Sequence, residues 1–149
     1  DNTTITFNES KNDWESSLTH SEFDEKKITK IKTQKIDTII EDQKLGDHSL
    51  LIKLDIEGHE LQAIEGAKNT IKKYKPIIII ELSSYIFNKK GQAFDYLKSF
   101  LYEFNYSIYS TKKRLTSIED IALLINNLDT KHKTIGNYYL ISNENIQDF

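Results

Sequence analysis

Apolar and polar positions alternate along this chain with two different periods. Thr3 to Phe7 alternates and is rich in β-branched residues, which predicts a strand. Asn8 to Asp24 is polar, with Asn, Ser and Asp clustering, and reads as a loop whose largest apolar residue is Trp14. Ile28 to Thr33 predicts a second strand, and Ile36 to Ile40 a short helix ended by the turn residues Gly46 and Asp47. Leu50 to Leu54 is a short, nearly continuous apolar run, the pattern of a strand covered on both faces.

From Glu60 the period lengthens towards 3.6. Leu61, Ile64, Ala67 and Ile71 fall on one face of a single predicted helix, with Lys72 and Lys73 in its last turn, where the helix dipole favours cations. Gly66 inside that helix costs about 1 kcal/mol relative to Ala, which a close helix–strand approach would explain. Pro76 stops the helix. Ile77 to Ile80 then predicts a central parallel strand ending in Glu81. Phe94, Leu97, Leu101 and Phe104 predict a second helix, and Tyr106 to Tyr109 another strand. Thr116 and Glu119 form a capping box for a third helix carrying Ile118, Ile121, Ile125 and Leu128, and Tyr138 to Ile141 closes the chain as a strand. Strand and helix alternate from Leu50 onward, so the expected fold class is α/β, a mostly parallel sheet with helices on both faces. No repeat, low-complexity segment or linker divides the chain. One domain is expected over residues 1–149, a β-rich lead-in over 1–35 followed by alternating α/β from 36 to 149.

Composition narrows the function classes. With 149 residues, 38% of them hydrophobic, and eight Tyr, seven Phe and one Trp, the chain can bury a core. The net charge is -3 and the lysines are interleaved with acids, without the basic stripe of a nucleic-acid binder. There is no cysteine, hence no disulfide and no thiolate ligand or nucleophile. No apolar run approaches the ~20 residues that cross a bilayer, and no signal peptide is visible, so the expected location is cytoplasmic, with no membrane partner. The chain opens on Asp1 rather than a methionine and reads as part of something longer. Its oligomeric state is left open.

In open α/β sheets ligands sit beyond the carboxyl ends of the strands. Two acidic segments are expected there: Asp55-Ile56-Glu57-Gly58-His59-Glu60 leaves one strand, and Glu81 ends the next. If the strands are neighbours, Asp55, Glu57 and Glu81 face one crevice, and Gly58 lets the backbone turn sharply. Each residue also has a plainer reading. Asp55 and Glu57 suit a helix start, where the dipole favours acids. Glu60 is read as structural, and His59 as a solvated helix-start histidine. Glu81 is favoured as functional, because a charge ending an all-Ile strand is costly to bury. Asp37 is read as capping or anchoring the short helix, Trp14 as a core lid, Lys72, Lys73 and Lys75 as a solvated helix end, and His20, His48 and His132 as surface residues.

Lys53-Leu54-Asp55-Ile56-Glu57-Gly58-His59-Glu60-Leu61, then Ile64-Glu65-Gly66-Ala67, then Tyr74-Lys75-Pro76 leading into Ile77 to Glu81, resembles the FkbM-type methyltransferase family. Thr33-Gln34-Lys35-Ile36-Asp37-Thr38-Ile39-Ile40 is similar to that family's short T-x-L-D-D-L-L element, with Ile36 for Leu and Thr38 for the second Asp. Trp14 to Leu18 resembles its Ser-Ser-Leu loop, and Asn105-Tyr106 stands where Gly-Tyr is common. The resemblance implies a Rossmann-like class I methyltransferase sheet, S-adenosylmethionine as cofactor, and a small-molecule acceptor, with O-methylation of a sugar or secondary-metabolite hydroxyl. It implies that Asp55 or Glu57 orients the acceptor or accepts its proton, with Asp55 also placed to bind the cofactor, and that Glu81 supports them or binds the acceptor.

The glycine-rich turn that grips the cofactor in that family has no counterpart here: Gly46, Gly58, Gly66, Gly91 and Gly136 all stand alone. The chain therefore looks like the acceptor-side, C-terminal portion, with the N-terminal strands missing, and is expected to bind the cofactor poorly and be inactive by itself. A divalent metal held by Asp55, Glu57 and Glu81 is compatible with their oxygen ligands but not demanded. Two other readings stand beside this one. A non-catalytic remnant would act as a binding or scaffolding module through a raw sheet edge. A metal-dependent hydrolase or nuclease is disfavoured, because Leu82 and Ser83 follow Glu81 instead of an E-x-K pattern.

Overall fold

A computed structural model of the protein describes residues 3–9, 27–56, 58–83, 91–110, 114–115 and 135–145. Strand β1 (Thr3–Glu9) pairs antiparallel with β2 (Lys27–Thr33) in a sheet of their own. β1 runs past Phe7 into the segment expected to be loop, because Asn8 and Glu9 find partners in Ile28 and Lys27. Trp14 and the rest of 10–26 lie outside the described residues, as does the predicted third helix.

The main unit follows as α1 (Ile36–Gln43), β3 (Leu51–Leu54), α2 (Glu60–Glu65), α3 (Lys68–Tyr74), β4 (Ile77–Ser83), α4 (Gly91–Glu103), β5 (Tyr106–Tyr109), β6 (Arg114–Leu115) and β7 (Ile135–Ser142). Its five-stranded sheet has the order β3-β4-β7-β5-β6. The expectation of a mostly parallel sheet is corrected here. Among the described strands only β3 and β4 are parallel, whereas β4–β7, β7–β5 and β5–β6 are antiparallel. β3, β4 and β5 do share one direction, since β4 and β5 are both antiparallel to the β7 between them. The alternation of elements correctly orients those three strands. It carries no information on a last strand that inserts in reverse.

The register sorts the sheet into two unequal faces. Ile78, Ile80 and Leu82 of β4, Tyr138 and Leu140 of β7, and Tyr106 and Ile108 of β5 are buried and share one face. Against it pack Ile64 of α2, Ile71 of α3, and Leu97 and Phe100 of α4, all buried. Among the described residues these helices join a single core on that one face; the predicted third helix, on which the expectation of helices on both faces also rests, lies outside them. The alternate residues Ile77, Ile79, Ser107, Tyr109 and Tyr139 are only partly buried. β3 is an outer strand with Leu51 63% exposed, so its apolar run is not covered on both faces as expected. A continuous apolar run reports hydrophobicity, not the presence of a second layer.

The single helix expected after Glu60 is two helices. At the break the Gly66 carbonyl accepts from the Asp37 N–H at 2.9 Å, while the Asp37 carboxylate accepts from Asn69 N at 3.1 Å and Thr70 N at 2.7 Å. Asp37 thus caps α3 from 33 residues away in sequence, satisfying amide groups that a new helix start leaves open. Of its two expected roles, capping or anchoring its own short helix, the anchoring one agrees with these bonds, which tie α1 to α3, while the helix that it caps is α3. Gly66 is not explained by crowding: a Cβ there would meet its nearest neighbours at 3.6 Å, ordinary contact. Lys75 at φ 47° ends α3 and turns the chain through buried Pro76 into β4.

At the amino ends of β4 and β5 a polar knot closes the sheet. The buried Tyr106 hydroxyl donates to the Pro76 carbonyl at 2.8 Å. Asn143 N donates to the Asn105 carbonyl at 2.9 Å, Asn145 Nδ2 to the Lys75 carbonyl at 3.0 Å, and Lys75 pairs with Glu144 at 3.0 Å. Lys75 is therefore bound into the fold rather than part of a merely solvated helix end.

Burial, with a smaller contribution from Glu144, holds the Tyr106 phenol well above its ordinary value of 10.0. The bond to Pro76 stabilises the fold by about 1 kcal/mol, fully so below pH ~10. As pH rises further, the unfolded chain ionises first and that contribution is lost. Tyr106→Phe is thus expected to lose about 1 kcal/mol in urea unfolding at neutral pH, and the gap to wild type should narrow above pH ~10. A gap that stays constant or widens there would contradict this account.

Candidate active site

The site is built at the carboxyl ends of β3 and β4. The parallel register pairs Leu51 with Ile77, Ile52 with Ile78, Lys53 with Ile79 and Leu54 with Ile80. Asp55 and Glu81 are each the next residue, so two carboxylates stand at the same level on neighbouring strands. Glu57, the third expected member, lies outside the described residues. Glu81 does not end its strand as expected: β4 continues through Leu82 and Ser83, and Glu81 sits on the less buried face opposite Asn137 of β7. Pairing with β7 supplies the ladder partners that extend β4 beyond its isoleucines.

Asp55 is exposed and ion-paired with Lys53, whose ammonium approaches Oδ2. At 56% and 39% side-chain exposure the pair is solvated and of small energetic weight. Its effect is local, holding the Asp55 carboxylate beside the strand it has just left.

The segment after Asp55 is held by Glu60. Only 3% exposed, Glu60 Oε1 accepts from Ile56 N and from Gly58 N, both at 3.1 Å. Gly58 takes φ 96°, open to glycine at little cost. Two backbone donors offset the cost of burying the carboxylate, so Glu60 is the clamp that shapes the turn. Its structural reading in sequence is upheld in kind, but the reach back to residues 56 and 58 is missed there. The signal for it was the acid at the first helical position, two residues after a lone glycine. His59, between Gly58 and Glu60, is half-buried, and its Nε2 is buried with no hydrogen-bond partner. The solvated-histidine reading is corrected on this point. His48 is exposed as expected, its Nδ1 bonded to the Leu45 carbonyl.

The more obvious concavities lie elsewhere. One is formed by His48, Leu50, Tyr74 and Ile77, the other by Leu101, Asn105, Tyr106 and Asn143. Both sit at the amino ends of the strands, away from the paired carboxylates. Among the described residues no group of three or more His, Asp or Glu side chains could hold a metal ion, and no helix is long and apolar enough to cross a membrane.

With this geometry in place, comparison with known families is decisive. The model of the methyltransferase FkbM domain matches residues 1–108. The chain belongs to the FkbM methyltransferase family. The match spans most of the chain and includes β3, the Asp55–Glu60 turn, β4 and α4, ending within β5. β6 and β7 of this FkbM chain lie beyond it. No curated protein and no solved structure matches the chain.

Methyltransferases of this kind imply a sulfonium methyl donor. The two carboxylates at the strand ends, Asp55 and Glu81, carry the charge that complements a cation. Glu60→Ala would leave Ile56 N and Gly58 N without their acceptor. It is expected to cost about 2–3 kcal/mol in chemical denaturation and to remove hydrogen-exchange protection at those two amides. Protection persisting at both would show that Glu60 is not the clamp.

Proposed function

We propose that this FkbM domain is the acceptor-side portion of an S-adenosylmethionine-dependent methyltransferase with a Rossmann-like sheet, transferring a methyl group to a hydroxyl of a sugar or secondary metabolite. The observation that carries this reading is the register of β3 on β4, with Asp55 and Glu81 each one residue past a paired position. The cofactor, when bound, supplies an electrophilic methyl on sulfur. Transfer is an in-line displacement, so the protein's work is alignment and, for a hydroxyl acceptor, removal of a proton.

In this reading Asp55 meets the cofactor or acceptor at the mouth of β3, with Lys53 keeping its carboxylate near the strand. Glu57 and Glu81 orient the acceptor hydroxyl or receive its proton. Glu60 acts at one remove, by fixing the backbone at Ile56 and Gly58. None of the five glycines belongs to a G-x-G turn, which supports weak cofactor binding and no turnover by these 149 residues on their own.

The test is calorimetric titration of S-adenosylhomocysteine into the full-length protein, with Asp55→Asn as control. Affinity is expected to fall at least about tenfold in the variant, a loss of about 1.4 kcal/mol. The 149 residues alone, shown to be folded, are expected to give little or no heat. Equal affinity of the wild-type and Asp55→Asn proteins would remove Asp55 from the site.

A second reading, a non-catalytic binding module, is favoured by one observation: among the described residues β3 is one of the two outer strands of its sheet, and it presents Leu51 at 63% exposure. An outer strand with an exposed apolar residue invites pairing. If the chain acts in this way, light scattering of the 149 residues at rising concentration should report dimers, dispersed by Leu51→Lys. A monomer at high concentration would count against the module.

A further inference from the structure

Among the described residues, one buried side-chain nitrogen or oxygen lacks a hydrogen-bond partner, and it is Nε2 of His59. An unpaired buried polar group of this kind costs about 1–3 kcal/mol, and folded proteins rarely keep one without a reason. The ring is not carried on a loose segment. Its backbone neighbours are pinned by the Glu60 carboxylate through Ile56 N and Gly58 N, and its own carbonyl accepts from Ala63 N at 3.0 Å. Neither plain reading of a histidine fits. A solvated helix-start histidine would keep Nε2 in water, and a core histidine would bond it to a neighbour.

The position of the residue narrows the alternatives. His59 belongs to the turn that leaves β3, four residues after Asp55, at the sheet end where Asp55 and Glu81 stand level. A polar atom that is buried, held and unsatisfied at the ligand end of a sheet is placed for a group the ligand brings.

We propose that Nε2 of His59 is a ligand-contact atom of this site, completed by a hydrogen bond with a hydroxyl of the bound molecule. The inference rests on the methyltransferase reading. That hydroxyl has two sources, the ribose of the methyl donor and the methyl acceptor, and an imidazole nitrogen is able to donate to or accept from either.

The experiment is NMR of the full-length protein labelled with 15N at histidine, the His59 ring signals being identified by their loss in His59→Gln. Addition of S-adenosylhomocysteine is expected to shift the Nε2 signal if the partner is the ribose. A shift seen only when a panel of free hexoses is added on top assigns the acceptor. An unchanged signal under both additions, with calorimetry showing S-adenosylhomocysteine bound, overturns the proposal and leaves the methyltransferase reading intact. No calorimetric binding at all overturns that reading and this inference with it. His59→Leu separates a structural role. As a ligand contact, its loss should weaken binding of the ligand that shifts the signal by at least about tenfold while Tm stays level or rises, since the unsatisfied nitrogen is gone. A lowered Tm with unchanged affinity would overturn the proposal.

Discussion

One row of side chains crosses four strands of the main sheet, and the rest of the fold hangs from it. Ile52, Ile78, Leu140 and Ile108 are register partners in succession across β3, β4, β7 and β5. Ile78, Leu140 and Ile108 of that row are 0%, 0% and 1% exposed. Full burial of one such side chain stabilises by about 1.5–3 kcal/mol. A slip of one residue in β7 would turn Leu140 to the less covered face and bring Tyr139 inward. β4 and β5 do not touch each other in this sheet, so β7 alone joins them. The register that brings Asp55 level with Glu81 is therefore propped from a strand near the far end of the chain.

The two ends of this sheet are treated differently. At the amino ends of β4 and β5, Tyr106, Asn143, Asn145, Lys75 and Glu144 tie three turns together through backbone carbonyls and one ion pair. Charge and hydrogen-bonding capacity are consumed there by the fold itself. At the carboxyl ends the fold uses less of this capacity: Asp55 is exposed and paired with Lys53, and the buried His59 nitrogen is unsatisfied. A rigid closed end and a reactive open end are what an α/β sheet offers a ligand.

Between these ends, remote acids shape the connection from β3 to β4. Asp37 on α1 caps α3, and Glu60 clamps the turn after β3. A third acid, Glu65, is held below its ordinary carboxylate value first by the Tyr96 hydroxyl, which donates to it at 2.6 Å, and next by Lys68. That contact links α2 to α4 at an exposed position, so it guides packing more than it stabilises. Two of these three carboxylates are committed to backbone N–H groups and the third to a phenol. Asp55 and Glu81 stand apart from these three, level with each other at the strand ends.

Much of this was legible in the amino-acid sequence. Every described strand of four or more residues was expected from β-branched or alternating runs. α1 and α4 were expected from turn signals and 3.6-residue spacing, because local periodicity records which face of an element is apolar. The Asp55 to Glu81 block was enough to point to the family to which the chain belongs. Other features depended on groups far apart in the chain and left no local trace. The reversed insertion of β7 between β4 and β5, the exposure of Leu51, and the extension of β4 to Ser83 follow from which strands become neighbours. The split between α2 and α3 follows from Asp37, whose carboxylate competes for amides that the 3.6-residue pattern assigns to one continuous helix. The orphaned nitrogen of His59 is the same kind of fact, since a sequence shows that an imidazole is present but only tertiary packing decides what surrounds it. Sequence determined the elements and the chemical groups at their ends. Tertiary structure decided their partners, because pairing, burial and hydrogen-bond satisfaction are properties of neighbours in space.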